Sequence, residues 1–498
     1  MRNVLYTVCE RIAVSPGPSG GRRGGAVPPP AGYRTRAAGG APGPAAPRHD
    51  GDRPAAAWPA PTRPIASGGR KGEATTPRRF IARARHAVTA FPRQFWLLVA
   101  GTALYLVGVQ MAYPFESIYL NRRLGVPMTT VGLMLGLSLL AGLPFQVVGG
   151  ALADRLGRRP VLALAALASA ALYAGLGLTG DLRLIVALLV FEAAFGWAQY
   201  LIGSNAMIAD LVPLARRAEA FSLTRVALNA GTIVGPLLAG WLISRDPTFR
   251  LPFVTAGAVC LGFFAVIVTL FRETRPPAAA TAAGGLVSSL RGYAEVLRDR
   301  RFVLFSLVAL LPLYGFGQVW VTTPIVLEHL FAVDARHWGY LVTFYAACTT
   351  LLQFPVVRLV RRRDHSRLMA AASLGTGLGL GGAAFVPWPW TVLPFLVLSL
   401  GLILLVPIAS TIVAELAPAA LRGRYMGAWT LVYMGGYALG PLLGGWAMDG
   451  LGDRGAFAVV AAAGLAGALL FPTLKPCRDD AAVGDAPGGE DERALRQP

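Results

Sequence analysis

From residue 95 onward the chain alternates long apolar runs with short connections that carry Arg, Pro or Gly. Each run reaches about 18 residues or more, the length an α-helix needs to cross roughly 30 Å of hydrocarbon with its backbone polar groups satisfied internally. The pattern predicts twelve spans, at 95–120, 129–153, 160–179, 182–209, 220–244, 252–271, 302–328, 336–358, 367–386, 390–414, 423–448 and 455–472. The expectation is an all-α membrane protein with twelve transmembrane helices. An even number of crossings puts both termini on one side, and Arg concentrates in the connections that follow the even-numbered spans. By the positive-inside bias both termini are expected in the cytoplasm, with the chain in the cell (plasma or inner) membrane.

The longest internal connection, 272–301, divides the spans six and six. It sets out a first bundle at 95–271, a cytoplasmic interhalf linker, and a second bundle at 302–472. Within the linker, Leu286, Leu290, Tyr293, Ala294 and Leu297 recur at helical spacing with Arg on the other side, as in a helix lying on a membrane surface. The alternative is a plain connecting helix. An internal repeat supports the division. ADLVPLARR, from Ala209, aligns with AELAPAALR, from Ala414, and continues without a gap into GTIVGPLLAGW (231–241) against GYALGPLLGGW (436–446). A fainter match relates Gly132 and Gln146 to Gly339 and Gln353. Such a duplication predicts two pseudo-symmetric six-helix bundles about an axis along the membrane normal, with a path between them.

Composition agrees with this picture. Of the 498 residues, 54% are hydrophobic and 14% charged, against about 25% charged in an ordinary soluble domain, which argues against a soluble enzyme. The formal charge of +20 raises the question of nucleic acid. Much of that excess lies in residues 1–94, a Pro-, Gly- and Ala-rich stretch without the apolar periodicity of a core. It is expected to be a disordered basic cytoplasmic tail, or the product of an upstream start codon that is not the native one; 473–498 is expected to be a second disordered tail. The first tail has no apolar run like that of a secretory signal. Nearly all cations are Arg, with Lys only at Lys71 and Lys475. That is a compositional bias, not a set of phosphate contacts, so no nucleic-acid partner is expected. Cys9, Cys260, Cys348 and Cys477 lie far apart with neither metal nor disulfide spacing. None of His49, His86, His329, His337 and His365 sits in a helix core, so no metal, no cofactor and no enzyme constellation is expected. The phosphate-binding loop of ATP-driven pumps is absent from the sequence.

The connection after the second span reads GGALADRLGRR (149–159), with Gly150, Asp154, Arg155, Gly157, Arg158 and Arg159 in the order Gly-x-x-x-Asp-Arg-x-Gly-Arg-Arg. This stretch resembles the loop signature of the major facilitator superfamily. The resemblance implies a transporter whose two halves close alternately on either face, with the signature as a cytoplasmic gate. Gly150 is expected to admit a neighbouring helix and Gly157 to permit a tight turn, while Asp154 pairs with an Arg or a helix N-terminus of the other half. Asp210, ending the fourth span, is expected to pair with Arg155 and extend the gate. The alternative is that the arginines only set topology. In the fifth span, Gly231-x-x-x-Gly235-Pro236-x-x-Ala239-Gly240 is similar to the motif of drug/proton antiporters in that superfamily, departing from it at Ala239. Ordinary small-residue packing is the alternative there, because the eleventh span carries Gly436, Gly440, Pro441, Gly444 and Gly445 by duplication alone.

Coupling to a proton gradient needs an ionisable group inside the membrane. Glu192, in the middle of the fourth span, is the deepest carboxylate. Glu116, toward the outer end of the first span, and Glu328, ending the seventh, read as wet residues at the outer interface, with Glu116 the reserve candidate for the proton. Many drug-efflux members have Arg where this chain has Glu192, followed four residues later by Gly, here Gly196. The reversed charge departs from the relay that the resemblance implies, and Arg225 is the nearest basic candidate partner. Candidates to line the path are Gln110, Tyr200, Asn205, Asn229, Gln318, Trp320, Tyr345, Gln353, Tyr433 and Tyr437, aromatic and uncharged polar groups suited to amphipathic organic molecules. No intramembrane Arg or Lys cluster offers itself to a phosphate ester or dicarboxylate. The expectation is proton-coupled export of small amphipathic molecules, of the drug-efflux type, by a monomer whose partners are the lipid bilayer, the substrate and protons. Uptake or facilitated diffusion of a metabolite such as a sugar is the alternative, and a non-transporting receptor or scaffold a remote one.

Overall fold

The computed structural model describes residues 91–275, 295–360, 363–418 and 421–474, and these are helical almost throughout, with no strand among them. The expected tails, apart from residues 91–94 and 473–474, and most of the expected 286–297 helix therefore lie outside the described residues; of the latter's periodic positions only Leu297, an exposed side chain, is placed.

The first helix, α1 (Arg93–Ala112), starts after Pro92 and ends where Pro114 forces a 3₁₀ turn at Tyr113–Phe115. Helical backbone then continues through Glu116–Ile118 and a wider turn at Tyr119–Arg123. Pro127 opens α2 (Met128–Leu156), and Gly157, at φ 102°, stops it. That is a left-handed conformation glycine adopts without strain. The chain re-enters at once as α3 (Arg158–Leu178). The fourth predicted span is two helices, α4 (Leu182–Phe195) and α5 (Trp197–Leu211), divided at Gly196. There follow α6 (Arg217–Ile243) and α7 (Arg250–Leu270). The seventh span is likewise divided, into α8 (Arg300–Gln318) and α9 (Thr323–Phe331). Then come α10 (Ala335–Val360), α11 (His365–Ala383), α12 (Val392–Leu416) and α13 (Arg422–Leu470), the last containing Gly452 at φ 72° and ψ 171°. Asp181, Asp299 and Asp364 cap α4, α8 and α11 by accepting backbone N–H bonds, which supplies partners for donors that a helix start leaves free.

Ten helical stretches among the described residues are long and apolar enough to cross a membrane; α11, rich in glycine, is not one of them, and Arg422–Thr473 counts as a single stretch. Large apolar side chains such as Leu178, Leu261, Leu307 and Leu443 stand exposed, which suits hydrocarbon and not water. The chain is a multi-pass membrane protein.

Helix pairing follows the sequence duplication. In the first set α1 packs between α6 and α7, α3 against α7, α4 and α5, and α2 against α4 and α5. In the second, α8 packs on α13, α11 on α12 and α13, and α10 on α12. The sets meet mainly through two pairs, α2 with α13 and α6 with α10, and more narrowly where α9 and α10 touch residues 113–118. The end of the molecule holding Gly157, Asp210 and Glu273 is called the near end below, and the end holding Glu328 and Asp449 the far end.

Candidate functional site

The duplicated glycine motifs build the junction between the two sets. On α6, a Cβ at Gly231 would meet Leu106 and Ala103 of α1, and one at Gly235 would meet Gln110. Gly240 faces the backbone of Arg336 and Gly339 on α10 instead, where Gly339 in turn would meet the Pro236 carbonyl at 2.7 Å. The second copy repeats the arrangement: Gly436 and Gly440 lie against Leu313 and Gly317 of α8, and Gly445 against the Met128 carbonyl on α2. Gly132 of α2 lies against the Pro441 carbonyl. Each copy thus lets one helix approach its neighbour within the set and another across the junction.

Polar bonds across the junction gather toward the far end. Trp338 Nε1 donates to the Pro114 carbonyl at 2.8 Å, and Ser117 Oγ to the Trp320 carbonyl at 3.2 Å. Both the backbone N–H and the hydroxyl of Thr129 donate to Asp449 at 2.7 Å. Arg122 pairs with Glu328 at 2.6 Å. The hydroxyls of Tyr113 and Tyr437 bond to each other. Glu328 is accordingly a cross-junction ion-pair partner rather than a wet residue.

Behind this seal lies a cavity between the sets, lined from the first by Tyr113, Glu116, Leu135, Ser138, Leu189 and Glu192 among others, and from the second by Trp320, Val321, Tyr437 and Pro441. Glu192 reaches it because α4 stops there. Gly196, at φ −84° and ψ −116°, breaks the helix, and a Cβ on it would collide with the Glu192 carboxylate. That carboxylate folds back over the break, its Oε1 accepting from Trp197 N at 3.1 Å and from Ser169 Oγ at 3.3 Å. A negative group at the start of α5 is favoured by the helix dipole. Ser169 also bonds to Tyr105 at 2.8 Å.

Glu116, expected at a wet interface, is 4% exposed. The 3₁₀ turn imposed by Pro114 rotates the following residues inward, and no hydrogen bond or ion pair joins the Glu116 carboxyl group to another described residue. Arg225 does not pair with Glu192 as expected. It is exposed on α6 six residues before Gly231, about 9 Å along the axis toward the near end.

At the near end the loop signature is tied to its own set. The Arg158 side chain, 8% exposed, bonds to Asp210 at 2.8 Å and to Asp154 at 3.1 Å. Asp210 therefore pairs with Arg158, not Arg155: Arg155 still belongs to α2, whereas Gly157 swings Arg158 into the first turn of α3, under the end of α5. Asp154 is 54% exposed and has no bond to the second set. Arg159 bonds to the Ile267 and Val268 carbonyls at the end of α7, and Arg275 to the Arg155 carbonyl at 2.7 Å. A Cβ on Gly150 would meet nothing within 4 Å, while one on Gly149 would meet Gln199, so the close approach belongs to the neighbouring glycine. Trp96 and Arg216 aside, no hydrogen bond or ion pair among the described residues joins the sets at this end.

Glu273, which sequence reasoning passed over, caps α3. It accepts from Arg158 N at 2.9 Å and Arg159 N at 3.1 Å, and from Thr274 N and Arg275 N within its own turn. Partial burial pushes its carboxyl up, but these backbone donors outweigh that and hold it below the usual glutamate value. A depressed folded-state value stabilises the fold at neutral pH, and the gain disappears as pH falls through that value. Glu273→Gln should lower the melting temperature at neutral pH and flatten the acid-induced loss below about pH 5. Fluorimetric melting curves from pH 7 to pH 3 check this, and an unaltered pH profile contradicts the cap.

Of the lining candidates, Trp320 and Tyr437 reach the cavity. Tyr345 packs behind Trp320, ring to ring at 5.7 Å, and Tyr433 lies near Phe316 at 6.3 Å. Tyr200 is fully buried inside the first set, bonded to Thr102 and tilted against Tyr105, and Gln318 is fully buried against Thr322 and Gly444 in the second. Asn205 is exposed; Gln110, Asn229 and Gln353 are partly buried but line no part of the cavity. Tyr113, Ser117 and Ser138 were missed. The Tyr-Pro pair at 113–114, a helix interruption beside a carboxylate, was the available signal for the first.

The family model described as Major Facilitator Superfamily matches residues 98–334 and 305–497. The chain is similar to the multidrug resistance protein MdtH of Yersinia pestis (strain Pestoides F), 30% identical over 367 residues that cover 71% of this chain and 86% of the relative. MdtH of Escherichia coli (strain SE11) is 28% identical over 365 residues with the same shares covered, and the uncharacterized MFS-type transporter YqjV of Bacillus subtilis (strain 168) is 24% identical over 361. Among solved structures, the nucleoside transporter NupG superposes with a TM-score of 0.66 at 14% identity, over 77% of this chain and 99% of its own. The peptide transporter POT in complex with sulfate gives 0.62 at 16%, over 77% and 94%. At such identities these two speak for the fold alone.

Proposed function

From the premise that the chain belongs to the major facilitator superfamily of transporters, we propose that it exports small amphipathic organic molecules in exchange for protons, by alternating access. The observation that carries this reading is the cavity at the junction of the two sets, sealed at its far end by bonds between them and holding two carboxylates in a wall otherwise of apolar, aromatic and serine side chains. The state described here is then the one closed outward. The multidrug relatives support the drug-export reading, and the ADLVPLARR and GPLL repeats support two bundles derived from one unit. Twelve crossings follow if α11 is one and α13 is two. Gly452, whose backbone is not helical, divides α13 into stretches of about 45 Å (422–451) and about 27 Å (453–470), each near the hydrocarbon thickness or above it. The near end, with its Arg-rich turns, faces the cytoplasm in this reading.

Glu192 is the proposed proton carrier. Its carboxylate holds the start of α5 across the Gly196 break, so gain of a proton removes a charge at a helix N-terminus and loosens the bend between α4 and α5. The Asp154–Arg158–Asp210 cluster is the proposed near-end latch, with Asp154 free to reach the second set when that end closes. Asp154→Asn then weakens transport with expression unchanged, since a lost charge-assisted contact shifts a two-state balance by about 1.5–3 kcal/mol. The test of export is susceptibility: cells lacking their own efflux systems and expressing this chain should tolerate higher concentrations of several unrelated amphipathic toxins, and lose that tolerance with Glu192→Gln. Equal susceptibility with and without the chain overturns the reading.

A further inference from the structure

We propose that the cavity selects organic cations, a protonated amine or comparable onium group on an apolar body, with Glu116 and Glu192 as its paired counter-charges. The proposal rests on reading this cavity as the transport site. Among the residues lining it, these two carry the only formal charges, and both are negative. Glu116 is 4% exposed and lines the cavity, and its carboxyl group has neither a hydrogen bond nor an ion pair to any described residue. Glu192 uses only Oε1, leaving Oε2 without a described partner.

Arg122, Arg158 and Arg225 do not supply the missing charge. Arg122 is paired with Glu328, Arg158 with Asp210 and Asp154, and Arg225 is exposed on α6 nearer the other end. A buried carboxylate without a partner is costly, and a cation entering between the two relieves the cost. The rest of the wall fits the remainder of such a ligand. Leu135, Leu139, Leu172 and Leu189 offer apolar surface, while Tyr113, Trp320 and Tyr437 offer ring faces that attract cations. A carboxylate or phosphate ester would meet like charge and no cation among the residues lining the cavity.

The probe is tritiated tetraphenylphosphonium bound to full-length protein in detergent micelles, with the uncharged triphenylphosphine oxide as competitor. The wild type should bind the phosphonium at least about tenfold tighter than the oxide, the scale of one charge-assisted contact. Glu116→Gln and Glu192→Gln should each lower phosphonium affinity about tenfold and leave that of the oxide unchanged, while Glu116→Asp, which keeps the charge, should retain most of the preference. Size-exclusion and melting curves like those of the wild type identify folded variants. Equal affinity for phosphonium and oxide, binding of neither, or a Glu116→Gln variant with undiminished preference overturns the proposal. Binding needs no gradient. A protein that binds the cation by its charge but exports nothing overturns the export reading and leaves this one standing.

Discussion

Glu192→Gln is expected to abolish pH-driven transport in proteoliposomes while the protein stays folded. The amide can still accept the Trp197 N–H and Ser169 hydroxyl bonds through its oxygen, so the helix break at Gly196 keeps its support. What it cannot do is change charge. Glu192→Asp should retain part of the activity with a displaced pH optimum, because the shorter carboxylate still titrates but no longer reaches both donors. Wild-type rate and pH dependence in the Gln variant would remove Glu192 from coupling and leave Glu116 as the carrier.

The second large effect is on stability. Arg158→Met should destabilise the protein by about 3–5 kcal/mol, because it strips Asp210 of its cation in a poorly hydrated site between α3 and α5. Melting temperature in detergent measures the loss. Adding Asp210→Leu should recover a good part of it, since removing both charges leaves none buried alone. A single variant that melts like the wild type, or a double variant worse than the single, contradicts the account of this cluster.

These two residues mark how far the sequence could be read. Glu192 stood out because a carboxylate inside an apolar run is expensive wherever the helix sits. The turn at Gly157 was legible because Gly between charged residues at a helix junction has few other uses. Its consequence was not: whether Arg155 or Arg158 meets Asp210 depends on how the chain turns at Gly157, and adjacent arginines look alike in sequence. Glu116 was misplaced for a related reason. Position along the first span put it near the outer end, but Pro114 turns it inward, and a proline's effect on direction is not encoded in hydropathy. The lining candidates fared unevenly because helices apolar on every side carry no face signal. Tyr200 and Gln318 are polar enough to suggest a ligand, yet both are buried within their own sets. Glu273 went unread because its role comes from tertiary placement, a carboxylate after α7 landing at the start of α3.

The central claim, that a proton gradient drives export through the cavity between the two sets, is tested most directly by reversing the gradient. Purified protein in liposomes, loaded with a fluorescent organic cation at equal concentration inside and out, is given a pH jump of either sign, with a potassium clamp holding the membrane potential at zero. The account predicts net movement of the cation toward the more acidic side in both cases, with none in protein-free vesicles. Movement that ignores the sign of the pH difference, or no net movement after either jump, would contradict it.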